Sequence, residues 1–186
     1  AAIRWPGVIP AGTVKNGLIG HNDLLPTLMA AVGEPDIREK LLAGHEADGR
    51  TYRVHLDGAN MLPYLKGETE ESPRKAFFYF SDDGDLVGLR YERWKAVFAE
   101  QRARKFDVWR DPFVKLRAPK IFDLRMDPFE RGDTDSNNYN EWWSRNAFLL
   151  AGMQAFVAQK IQTLAEFPPR RARVIEVSAD ADRKVY

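Results

Sequence analysis

One stretch constrains this chain more than any other: RKAFFYFSDDGDLVGLRYERWKAVFAE, residues 74–100. Phe77, Phe78, Tyr79 and Phe80 are β-prone and run into a turn cluster of Ser81, Asp82, Asp83, Gly84 and Asp85. Two further short runs follow, 86–90 and 94–98, joined by a tight turn through Tyr91, Glu92 and Arg93. Asp-Gly between apolar runs is a strong hairpin signal, because glycine takes the positive φ that the turn needs. The pattern predicts a three-stranded antiparallel meander. In its third run Trp94, Ala96 and Phe98 share one face, with Lys95 and Val97 on the other. A sheet of this kind is half buried and, by itself, carries no chemistry.

The rest of the chain supplies helices and further strands for that sheet. Ile3 and Trp5 suit one side of a short strand, broken by Pro6-Gly7 and by Pro10 to Gly12. Nothing nearby offers that strand a partner, so it is expected to pair with sheet outside this chain. His21, Asn22 and Asp23 precede LLPTLMAAV, which has helical spacing, Pro26 in its first turn and Gly33 as a left-handed C-cap. Asn22 or Asp23 suits the N-cap of that helix, and a cap is the expected role of Asp23. Residues 36–42 suit one or two helical turns, 51–56 a short strand, and 61–65 a packed segment before Gly67. Residues 68–72 form an acidic loop and the best boundary.

Beyond the meander, residues 101–119 mix six Lys or Arg with Phe106, Trp109 and Phe113. Basic residues interleaved with aromatics can bind nucleic acid. Asp107 and Asp111 dilute the charge, and the stretch reads as a packed surface loop with snorkelling cations. Residues 120–124 form a fourth strand, ended by a turn at Asp127-Pro128. From 140 to 167 apolar residues recur every three to four positions, from Trp142 and Trp143 through Met153 and Phe156 to Ile161 and Leu164. That stripe predicts one long helix packed on the sheet. Pro168-Pro169 ends it, and 170–186 reads as a charged surface tail. Strands first and a long helix last make this an α+β chain: a four-stranded antiparallel sheet with a long C-terminal helix.

The bulk properties exclude several partners. Among 186 residues the formal net charge is +1, which argues for neither nucleic acid nor a membrane surface. No apolar run approaches the roughly 18 residues of a membrane span, and the first residues lack the basic and apolar regions of a signal peptide. The chain contains no cysteine, which removes disulfides, thiolate metal sites and cysteine nucleophiles and leaves the compartment open.

No catalytic constellation appears either. His21, His45 and His55 form no H-x-x-x-H pair, and each reads as a surface or capping histidine rather than a substrate contact. There is no phosphate-binding glycine loop and no G-x-S-x-G. Asp82, Asp83 and Asp85 lack the calcium-loop spacing and its downstream Glu, and a hairpin turn accounts for them.

The ordered segments nevertheless carry a resemblance. IRWPGVIPAGTV at 3–14, HNDLLPTLMAAVG at 21–33, HLDGANMLPYLKG at 55–67, residues 72–98, and PKIFDLRMDPFERGDT at 119–134 resemble the C-terminal part of type I sulfatases. These are the arylsulfatase family of the alkaline-phosphatase-like superfamily. The resemblance spans nearly the whole chain. R-W-P-G, then D-L-x-P-T-L, then F-D-L-x-x-D-P-x-E in that order is its most specific part. It implies two regions: residues 1–70 as the terminal strand, helix and linker of a large α/β domain, and 71–186 as a smaller C-terminal subdomain. It further implies a parent sulfuric ester hydrolase whose nucleophile is formylglycine, made from the Cys or Ser of C/S-x-P-x-R, with a calcium ion polarising the sulfate.

Those motifs have no counterpart here. Ser72-Pro73-Arg74 has the wrong spacing. No catalytic, cofactor-binding or metal residue is therefore carried over. The expected role is a fragment that completes the fold and shapes one wall of the substrate cleft, with the N-terminal catalytic part as partner and a sulfate ester as substrate of the complete enzyme. The alternative is a stand-alone binding or structural module that kept the fold. On the first reading the chain should expose an apolar face around Ile3, Trp5, Leu24, Leu28 and Val32.

Overall fold

The computed structural model describes residues 2–168. Its centre is the predicted sheet. Strands β3 (Ala76–Phe80), β4 (Leu86–Tyr91), β5 (Trp94–Glu100) and β6 (Val114–Asp123) lie antiparallel in the order β3-β4-β5-β6. One row of paired residues, Phe78, Leu89, Ala96 and Ile121, crosses all four strands. Paired residues in an antiparallel sheet point to the same face, so this row makes a continuous apolar stripe.

Leu89 and Ala96 close on Met153 of helix α6 (Leu149–Glu166) to form the core. Trp94 and Phe98 pack around it from the same face, as their spacing predicts. Tyr91 and Phe156 add an aromatic contact between sheet and helix, with ring centres 4.7 Å apart.

The first turn of the meander forms as read. Gly84 stands at φ 86°, in the left-handed region, and Ser81 and Asp85 close the hairpin through Ser81 N–H donating to the Asp85 carbonyl at 2.9 Å. The second turn puts Glu92 itself at φ 50°.

Five expectations change. The fourth strand begins at Val114, not Lys120, because Val114, Lys115, Leu116 and Arg117 already alternate inward and outward beside β5. Pro119 is tolerated inside it because β6 is an edge strand. The outer edge is covered from helix α5 (Tyr139–Asn146): the Tyr139 hydroxyl accepts from Ile121 N–H and donates to its carbonyl, and Trp143 Nε1 donates to the Pro119 carbonyl at 2.9 Å. Covering an edge in this way keeps it from pairing with another chain.

The long helix is two. It breaks at Ala147 and Phe148, where Leu150 and Ala151 bond three residues back rather than four. The Asn146 side chain bonds the Trp142 carbonyl at 2.8 Å, a back-bond of the kind that bends helices. The loop read as packed is not: Phe106 and Trp109, in a short 3-10 helix Lys105–Trp109, are 67% and 76% exposed. The tail at 170–186 lies outside the described residues.

Residues 3–5 also form no strand. The chain there is extended and then turns back, with Val8 and Ile9 N–H both donating to the Trp5 carbonyl. A strand needs a ladder partner, and none is present among the described residues.

The remaining elements precede the sheet. A 3-10 turn, His21–Asp23, leads into α1 (Leu24–Ala31), followed by α2 (Ile37–Ala43), a two-stranded ribbon of β1 (His45–Ala47) and β2 (Arg50–Tyr52), and α3 (Leu62–Lys66). The strand read at 51–56 thus shrinks to a ribbon ending at Tyr52. Gly33 and Gly67 take left-handed φ after α1 and α3. Short helices α4 (Gly132–Asp135) and α5 fold the chain back from β6 toward α6.

Candidate functional site

The N-terminal elements meet the sheet at a buried ion pair. Asp23 ends the 3-10 turn and is 1% exposed; Arg74 stands just before β3. Arg74 Nε donates to Asp23 Oδ2 at 2.7 Å and Nη2 donates to Oδ1, a two-pronged grip. Two backbone donors complete the carboxylate: Gly20 N–H on Oδ2 and Ala59 N–H on Oδ1, both at 2.7 Å. Arg74 also donates to the Asp57 and Ala76 carbonyls and lies 5.8 Å from the Phe77 ring centre.

Asp23 stands at the N-cap of α1, as its position suggested, but its carboxylate makes no cap bond to α1 and instead accepts from Gly20 N–H at the start of the 3-10 turn and from Arg74. Burial by itself raises its pKa. The bonds from Arg74, Ala59 and Gly20 outweigh that and hold the carboxyl below its ordinary value. Thr27 extends the node: its hydroxyl donates to the Asp23 carbonyl and accepts from Met61 N–H.

Two cavities flank Arg74. The larger, about 880 Å³, runs between residues 13–18 and the β4–β5 turn, with Arg74, Lys75, Arg90, Arg93 and Trp94 on its walls. The smaller, about 380 Å³, is lined by the rings of Phe78, Phe80 and Phe156 together with His55, Asp57 and Lys160. Lys160 sat in the apolar stripe of the sequence. In the structure it is 8% exposed, its ammonium bonded to Asp57 and 5.9 Å from the ring centres of both Phe78 and Phe80. His55 Nδ1 stands 3.3 Å from the same Asp57 oxygen. A lysine inside an apolar helical stripe was the one sequence signal for this cluster. Nothing in the spacing of Asp23 and Arg74, 51 positions apart, marked theirs.

These groups can bind and position. Ser72 Oγ donates to the Leu18 carbonyl and accepts from Arg74 N–H, so it is engaged with backbone. The three histidines sit apart in the fold, on the 3-10 turn, on β1, and in the segment before α3. Among the described residues no three His, Asp or Glu side chains converge on one point. The donor set of the described residues does not fit the oxygen cage of a calcium ion, and a sequence with no cysteine and no S-x-P-x-R does not fit a formylglycine nucleophile.

A second feature lies on the opposite side of α1. Leu24, Leu25, Leu28 and Val32 are exposed there, Leu28 at 61% and Val32 at 75%, and Ile3, Val14 and Ile19 are exposed as well. The exposed face of α1 includes Leu24, Leu28 and Val32, as anticipated from the sequence, and Leu25 as well.

No protein-family model matches the chain. Individual relatives do. Human arylsulfatase G is 28% identical over 144 residues, covering 73% of this chain and 25% of that protein. Human steryl-sulfatase is 22% identical over 189 aligned positions, covering 89% and 28%. An ulvan-active sulfatase of Formosa agariphila is 25% identical over 162, covering 72% and 28%. Among solved structures, the PsFucS1 sulfatase from Pseudoalteromonas sp. shares the fold, with a TM-score of 0.62 at 23% identity over 88% of this chain and 29% of that one. The chain thus spans between a quarter and a third of the length of the curated relatives it matches. These relatives are all sulfatases, each matched over only part of its length, and together with the mixed fold of antiparallel sheet and C-terminal helix they support a likeness of this chain to the C-terminal part of a type I sulfatase of the arylsulfatase family.

Proposed function

We propose that this chain completes the fold of a sulfuric ester hydrolase and is not catalytic alone. On this reading residues 1–70 are the end of a large α/β domain, and 71–186 are a smaller subdomain fixed to it by the Asp23–Arg74 pair. The N-terminal part of the same protein is the partner. It would supply formylglycine and calcium, the activated nucleophile and the Lewis acid of sulfate-ester cleavage. The substrate of the complete enzyme is a sulfate ester, and the larger cavity, where Lys15, Lys75, Arg90, Arg93 and Arg125 outnumber Glu70, Glu71 and Glu92, supports a place for this chain in one wall of its cleft.

One observation carries the reading: the exposed apolar row of Leu24, Leu25, Leu28 and Val32 on α1. Contiguous apolar surface of this kind marks a covering partner. Its occurrence in a chain that matches only part of each relative points to the rest of the same protein as that partner. Fold alone does not establish activity, so the test is chemical. A synthetic aryl sulfate is offered to the 186-residue chain and to the polypeptide extended upstream through a C/S-x-P-x-R segment. Turnover only by the extended polypeptide supports the proposal. Turnover by the short chain, or by neither, sinks it.

A further inference from the structure

The loop between β5 and β6 is built as a rigid ridge, not as a slack connection. Gln101 is its clasp: its side-chain amide donates to the Asp111 carbonyl at 2.7 Å and accepts from Ala103 N–H at 2.8 Å. The 3-10 helix inside the clasp closes through Asp107, whose carbonyl accepts from both Arg110 and Asp111 N–H at 2.9 Å. Lys105 is held at φ 56°, a left-handed backbone that a lysine adopts only when its surroundings impose it. On this frame the rings of Phe106 and Trp109 stand out of the surface. The Arg110 guanidinium lies 5.2 Å from the Phe106 ring centre, which presets a flat cation beside an aromatic face. Arg104, Lys105, Lys115 and Arg117 form no ion pair among the described residues.

We infer that this ridge is a binding surface for a sulfated polysaccharide. The inference rests on the proposed sulfate-ester chemistry only for the identity of the anion. The surface offers what such a chain requires: unpaired cations for a repeating row of sulfates, and exposed rings on which the apolar faces of sugar units can stack. Charge complementarity selects a polyanion. The carboxylates of Asp107 and Asp111, set among the rings, disfavour insertion into an anionic bilayer and suit hydrogen bonding to hydroxyl groups.

The test uses the polypeptide extended upstream, so that any covering by its own chain is present. Electrophoretic mobility is measured in gels containing dextran sulfate, neutral dextran, or no polymer, and sedimentation is measured with vesicles of phosphatidylserine and phosphatidylcholine. Dextran sulfate is expected to retard the protein in a salt-sensitive way and neutral dextran is not. Trp109→Ala is expected to weaken retardation about tenfold, the scale of one lost stacking contact, and R104A/K105A to weaken it by a similar factor and to lower its salt dependence. Hydrolysis of a small aryl sulfate by both variants should equal that of the parent. Retardation that survives both variants, binding to vesicles instead of polymer, or Trp109 fluorescence shielded from iodide in the extended polypeptide would each overturn the inference. Loss of aryl sulfate hydrolysis in the parent protein would overturn the sulfatase reading instead, whatever the gels show.

Discussion

Arg74 holds Asp23 by two nitrogens on two oxygens, across 51 positions of sequence and away from solvent. The pair joins the turn before α1 to the start of the sheet. Breaking a buried pair by removing one partner leaves the other charge without compensation, which costs about 3–5 kcal/mol. Arg74→Ala should therefore lower the free energy of unfolding by that order, measured by urea titration. Replacing both residues with apolar ones should not recover the loss fully, because the N–H groups of Gly20 and Ala59 would lose their acceptor.

The same carboxylate sets an acid limit. The Asp23 pKa in the folded chain lies below its ordinary value of 3.8. The stability it contributes is therefore fully present above that value and is lost as pH falls through the lowered one. Glu100, held down by its bond from Lys120, acts in the same direction from an ordinary value of 4.5. Urea midpoints should fall as pH drops below about 4, and Asp23→Asn should flatten that slope while lowering the midpoint at neutral pH. An unchanged slope in the variant would assign the acid limb elsewhere.

Lys160 and Asp57 are unequal partners, the ammonium buried and the carboxylate half exposed. Removing the carboxylate strands a buried cation; removing the cation leaves an acid that water can reach. Asp57→Ala should cost about 2 kcal/mol more than Lys160→Met. Thermal or urea denaturation of the two single variants checks the order, and equal losses would contradict it.

Gly58 is the tightest backbone approach near the node. A Cβ there would sit 1.9 Å from the Asn22 carbonyl oxygen and 3.0 Å from Pro26 Cγ. Neither neighbour can yield without moving the turn that carries Asp23. Gly58→Ala should cost about 3 kcal/mol, whereas Gly152→Ala, whose Cβ meets nothing within 4 Å, should leave stability unchanged or slightly raised. Comparison of their unfolding curves separates the two cases.

The sheet was legible from Asp83-Gly84 and from the alternation of Trp94, Ala96 and Phe98, because a hairpin is specified locally. The break at Ala147 was not, since apolar spacing runs on through it and the back-bonds of Ser144 and Asn146 to the preceding turn form only once the helix does. The start of β6 was hidden by charge. Lys115 and Arg117 drew attention to the loop, although Val114 and Leu116 already alternate with them. Asp23 was placed at the cap of α1, where it stands, but its carboxylate was not seen as an ion-pair partner, because only the arrival of Arg74 from 51 positions away makes it one. The exposed face of α1 was visible as Leu24, Leu28 and Val32, since helical spacing puts them on one side whatever covers them.

That face is also where the account is most directly open to test. An environment-sensitive dye is titrated into the 186-residue chain, alone and with increasing amounts of the separately produced N-terminal part, with aryl sulfate hydrolysis followed in parallel. Strong dye binding by the chain alone is predicted, displaced at one equivalent of the N-terminal part as hydrolysis appears. Leu28→Lys should weaken that assembly about tenfold or more, the scale of one buried leucine. A chain that binds no dye, remains monomeric, and restores no hydrolysis when combined with the N-terminal part would contradict the account.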